Sequence, residues 1–91
     1  MAKLSKANGE VIEVTPKNGK KFVLSELKEF IGGGWIEIVN LLNGKSIVCD
    51  EEGKLKRMPV NYHATDIFRK ALGTADYIVG DVLIINDWEV D

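Results

Sequence analysis

The residues most able to do chemistry are three carboxylates near one hairpin. Asn43-Gly44 sits between two strand-like runs, Trp35 to Leu42 and Lys45 to Asp50. Asn-Gly is the strongest short hairpin signal, because a type I′ turn needs positive φ at both central positions. A two-residue turn there sets Val39 against Val48, Ile38 against Cys49 and Asn40 against Ile47. The same register sets Glu37 against Asp50, with Glu52 close by. Like charges facing each other across a strand pair are destabilising unless something neutralises them. A bound cation or a carboxyl with a raised pKa is one reading. A frayed hairpin end, or a neighbouring lysine or arginine, is the other.

The remaining reactive types offer no assembled site. His63 is the only histidine and Cys49 the only cysteine. No second histidine or cysteine stands at zinc-ligand spacing, and Cys49 falls in a strand where a thiol is ordinarily inert. Ser5, Ser25 and Ser46 lie outside any nucleophile-elbow pattern. Gly32-Gly33-Gly34 follows a helix, whereas phosphate-cradling loops precede one and present free N–H groups. The expectation is therefore a non-enzymatic protein with no cofactor and no resident metal.

Positioning these residues requires a small scaffold. The chain has 91 residues, 45% of them hydrophobic and 29% charged, which suits one globular domain over 1–91. The first residues carry charge without a following apolar run, and no stretch approaches the roughly 20 apolar residues of a membrane span. With one cysteine the fold needs no oxidising compartment, and the expected location is cytoplasmic.

Glu10 to Thr15 reads as a strand ending at Pro16. Ser25 offers an N-cap for a helix over Glu26 to Ile31, with Leu27, Phe30 and Ile31 on one face. The glycines at 32–34 close it. Leu55 to Met58 is a possible short edge strand before Pro59. Asn61 caps a second helix whose apolar stripe is Ala64, Ile67, Phe68, Ala71 and Leu72, and Gly73 ends it. Tyr77 to Ile85 is a strand interrupted at Gly80, a residue that marks a bulge or a close backbone approach. The order βαββαβ predicts an α+β fold: an antiparallel sheet with two helices on one face, in the ferredoxin-like split βαβ manner. The core spans about 9–85, and residues 86–91 form a short acidic tail.

Charge is unevenly spread. Residues 53–70 hold Lys54, Lys56, Arg57, Arg69 and Lys70 against Asp66, whereas residues 71–91 hold five acids and no base. The two segments either neutralise each other as neighbours or orient a charged partner. A net charge of −2 argues against nucleic-acid binding. Trp35 begins a core strand and is expected inside. Trp88, amid acids, is either an exposed anchor for a partner or is covered by a tail that folds back.

Gly33-Gly34-Trp35-Ile36-Glu37, Glu51-Glu52-Gly53-Lys54, Asn61-x-x-Ala64-Thr65 and Ile78-Val79-Gly80-Asp81 stand in an order that resembles a small domain-of-unknown-function family. That family is encoded largely by bacteriophages and by conjugative or integrated elements of bacteria. The resemblance implies such a genomic setting and no known activity. Three functional readings follow. The first is an interaction module for a protein partner, through Trp88 or an open sheet edge, which also leaves a homodimer possible. The second is a small-ligand binder, with a nucleotide as one candidate, using Glu37, Asp50, Arg57 and Asn61 near one sheet end. The third is a weak nucleic-acid binder using the basic stretch.

Overall fold

The computed structural model describes residues 2–90. Five strands, β1 (Ala2–Ser5), β2 (Val11–Val14), β3 (Ile36–Asn40), β4 (Lys45–Asp50) and β5 (Val82–Asn86), form one sheet in the order β2-β1-β5-β4-β3. Every neighbouring pair is antiparallel. Helix α1 (Leu24–Phe30) lies between β2 and β3, and α2 (Tyr62–Leu72) lies between β4 and β5. A 3-10 turn over Asp87–Glu89 follows β5.

The α+β class and the antiparallel sheet are as expected, but the helices do not share a face. Ile47, Cys49, Val82 and Ile84 pack with Ala64 and Phe68 of α2. Val48, Leu83 and Ile85, which alternate with them, pack with Leu27 and Ile31 beside α1. The cause is the continuous apolar run in β4 and β5. Side chains alternate across a strand, so an unbroken run is oily on both faces and needs a cover on each. The sheet also gains β1, whose Ala2 and Leu4 join the α1 side while Ser5 reaches the α2 side. A split βαβ arrangement would seat the strand before α1 beside β4; here β5 fills that place.

Local chemistry explains the helix ends. Helix α1 starts after Val23 rather than Ser25. Glu26 decides this: its carboxylate accepts from the Val23 N–H at 3.2 Å and the Lys17 N–H at 2.9 Å. A glutamate in the first turn that reaches back in this way satisfies a donor the helix leaves orphaned. At the other end the Gly32 and Gly33 N–H groups donate to Glu29 and Lys28 carbonyls. Both glycines have positive φ, 98° and 92°, as a helix stop requires. Helix α2 begins at Asn61 and ends at left-handed Gly73, both as expected.

The β3–β4 hairpin differs by one residue from the expected pairing. Val39 faces Ile47, Ile38 faces Val48, and Asn40 faces Ser46. Leu41 N–H donates to the Lys45 carbonyl, so three residues, not two, cross the turn. Asn40 and Asn43 side chains accept from the Leu42 and Lys45 N–H groups and hold Leu42 at a φ of 61°. Residues 51–57 form turns, with no edge strand at Leu55 to Met58. Residues 87–90 are no loose tail: the Phe22 N–H donates to the Glu89 carbonyl, and Phe22 bridges Val90.

Candidate functional site

The one-residue change of register dissolves the proposed carboxylate pair. Glu37 faces Cys49, and Asp50 faces Ile36, so the two carboxylates leave opposite faces of the sheet. Among the described residues no group of three or more histidine, cysteine, aspartate or glutamate side chains is arranged to hold a metal ion.

Asp50 has its own partner. Its Oδ2 accepts from Lys56 Nζ at 2.7 Å, and its Oδ1 accepts from the Glu52 N–H at 2.8 Å. Burial pushes the carboxyl up; the Lys56 ammonium and the Glu52 N–H outweigh it and hold the group below its ordinary 3.8. Gly34 makes room for this pair, since a Cβ there would lie 2.6 Å from Asp50 Oδ2 and 2.8 Å from Lys56 Nζ. A depressed folded pKa stabilises above the unfolded value and ceases to as pH falls through the folded one. The melting-temperature advantage of the natural chain over Lys56→Met is therefore expected to be full at neutral pH and to close below about pH 4. Thermal scans from pH 7 to pH 3 read it directly, and an advantage independent of pH would refute the assignment.

A cleft lies on the α2 face, at the end of the sheet where β3 begins. Its volume is about 310 Å³. The floor is apolar, with Val39, Phe68, Ile78 and Val79, and the rim carries Glu37, Glu51, Lys54, Asp76 and Tyr77. Lys54 Nζ meets Asp76 Oδ1 at 2.6 Å and stands 4.2 Å above the Tyr77 ring. Hydrogen bonding to Asp76 raises the lysine's pKa, with smaller help from Tyr77 and Glu37, against some desolvation. Cys49 closes the back of the cleft. Burial first, then the charges of Glu37 and Asp50, push its thiol up to about 12, so it stays protonated and is no nucleophile at neutral pH.

The four residues grouped for a small ligand are thus only partly brought together. Glu37 and Asp50 border the cleft; Arg57 and Asn61 do not. Arg57 is exposed on a turn with a φ of 57°. Asn61 is fully buried and spends its side chain on the fold: Oδ1 accepts from Ala64 N–H and Ser5 Oγ, and Nδ2 donates to the Ser5 and Gly80 carbonyls. Lys54 and Asp76 link the basic and acidic segments, one of the two arrangements the charge split allowed. Tyr77 was read only as strand, and no spacing in the chain ties it to Lys54.

The tryptophans stand at opposite ends of the sheet. Trp35 is 65% exposed rather than in the core, and Lys28 Nζ lies 3.9 Å over its ring. Trp88 is 63% exposed. Its 3-10 turn is pinned on both sides: Glu89 Oε1 accepts from Asn86 N–H and Nδ2, and Asp87 accepts from Ser46 Oγ while its N–H donates to the Gly44 carbonyl.

The family model described as "Domain of unknown function (DUF3846)" matches residues 4–90. The chain belongs to that family. The match takes in Leu4 and Ser5 of β1 and the whole of the pinned 3-10 turn. No curated protein and no solved structure matches the chain.

Proposed function

We propose that this DUF3846 domain is a non-enzymatic module that binds another protein in the bacterial cytoplasm, as an accessory factor of a mobile genetic element. The observation that carries the reading is Trp88: a large aromatic side chain, exposed, on a turn held by side-chain and backbone hydrogen bonds. Interfaces draw much of their energy from such aromatic anchors. An anchor ordered before binding loses little entropy when the partner arrives. Leu42, on the hairpin tip that Gly44 joins to Asp87, is also exposed and extends the apolar surface at this end. The mobile-element setting rests on the motif resemblance.

The other readings fare less well. Lys54, Lys56 and Lys70 are engaged by Asp76, Asp50 and Asp66, and Arg69 donates to the Ala75 and Asp76 carbonyls. Little of the basic stretch is left for phosphates. Glu37, Glu51 and Asp76 against Lys54 make the cleft acidic, which disfavours a nucleotide.

The test is an affinity capture from host lysate with the tagged full chain and with Trp88→Ala. A partner retained by the natural chain and reduced at least about 10-fold by the variant is the expected result, in line with the cost of truncating a hot-spot tryptophan. Equal recovery by both forms, or no partner at all, counts against it.

A further inference from the structure

The open outer edge of β3 runs along the acidic cleft. Strand β3 ends the sheet, and among the described residues no strand or bridge pairs with its outer side. Natural edges are commonly blunted by lysine, proline or a bulge; Ile36-Glu37-Ile38-Val39-Asn40 has none of these. In an antiparallel ladder, alternate residues turn both backbone groups toward the partner strand. Trp35 and Leu41 bond across to the β4 side, so by alternation Glu37 and Val39 do likewise. Ile36, Ile38 and Asn40 then present their N–H and C=O groups outward. Glu37 and Val39 side chains line the cleft, and Ile38 on the other face is 47% exposed.

We propose that β3 accepts an extended segment of a partner protein as a sixth strand, with a lysine or arginine of that segment opposite Glu37 in the cleft. Main-chain bonds supply affinity in strand addition, and pockets for alternate side chains supply specificity. The pockets here are defined. An ammonium or guanidinium opposite Glu37 makes the favourable cross-strand pair, and its alkyl stem lies on the apolar floor. Lys54 makes its close ion pair with Asp76, at 2.6 Å, and acts on Glu37 only as a weaker, longer-range charge. The residue two positions along the incoming strand faces Val39 and is therefore apolar. A second copy of this chain is the poorer occupant: β3 itself contains no base, so pairing two copies through it brings no cation to Glu37. The proposal shares with the previous section only the reading that the chain binds protein, since Trp88 lies at the other end of the sheet.

The probe is a synthetic peptide, Thr-Val-Thr-Lys-Thr-Val-Thr, titrated into the 91-residue chain with amide NMR as readout. Controls carry a central glutamate, or N-methyl groups at alternate backbone amides. The expected result is saturable shifts at Ile36, Ile38 and Asn40, a preference for lysine over glutamate of at least about 5-fold, and loss of binding on N-methylation. Ile38→Pro removes an outward N–H without breaking the β4 ladder, and should abolish binding. If that variant fails to fold, Glu37→Lys decides alone: it should reverse the preference toward the glutamate peptide. Trp88→Ala should leave these titrations unchanged, which separates failure here from failure of the Trp88 interface. Absent shifts in β3, equal binding of both peptides, or full competition by n-butylamine alone (a free-amine site) would overturn the proposal. So would a dimer of the free protein formed through β3.

Discussion

Asn61→Ala is expected to lower the melting temperature by about 12 °C or more. Asn61 is 0% exposed and ties three parts of the chain together: the end of β1 through Ser5, the start of α2 through Ala64, and the approach to β5 through Gly80. Losing an N-cap costs about 1 kcal/mol. Leaving buried carbonyls such as those of Ser5 and Gly80 without this donor costs about 1–3 kcal/mol each. The sum is about 3–7 kcal/mol, and a domain of this size loses about 4–8 °C per kcal/mol, so the drop is at least about 12 °C. Asn61→Asp separates the two roles. It keeps the oxygen that caps α2 but turns a carboxylate toward two carbonyl oxygens, where only a protonated form can donate. Its folded pKa is then raised, so its stability is expected to fall as pH rises from about 4 to 7. Denaturant melts across that range check this, and a flat profile would mean that capping alone explains the residue.

Asn61 also shows what was legible beforehand. Its role as a cap could be read from position, because capping is local: a short polar side chain before an apolar stripe of period 3.6, with Gly73 beyond. The glycines at 32–34 were legible for the same reason. Its two carbonyl partners were not, because Ser5 and Gly80 are distant in sequence and β1 is only four residues long, with few strand-favouring side chains. The hairpin divides along the same line. Asn43-Gly44 marks a turn, but its length depended on Leu42 accepting a positive φ, which a leucine does not announce. That one residue moved Glu37 from Asp50 to Cys49 and replaced an imagined carboxylate pair with a cleft. The placing of the helices was legible in principle. Ile47-Val48-Cys49 and Val82 to Ile85 are apolar on both faces, which two helices on one side leave half uncovered.

Phe22→Ala is expected to cost about 3–4 kcal/mol, through lost burial and the cavity it leaves, and to loosen the proposed interface from a distance. The ring is 0% exposed and meets Phe30 edge to face, with centroids 6.0 Å apart and planes at 77°. It packs among Ala2, Leu27, Val48, Leu83 and Ile85, so the cavity opens against three strands and α1. The backbone of the same residue holds the chain's last turn, by a 2.7 Å bond from its N–H to the Glu89 carbonyl and by its bridge to Val90. A core that slackens around Phe22 therefore slackens the support of Trp88. In a Trp35→Phe background, Trp88 emission anisotropy should fall in Phe22→Ala and hold in Phe22→Leu, which refills most of the volume. Recovery of a Trp88-dependent partner should fall with it, because an anchor that must be ordered on binding contributes less. If Trp88 keeps its anisotropy in Phe22→Ala, the contacts of Glu89 with Asn86 and of Asp87 with Gly44 suffice to hold the turn. The aromatic core and the interface would then be independent parts of this fold.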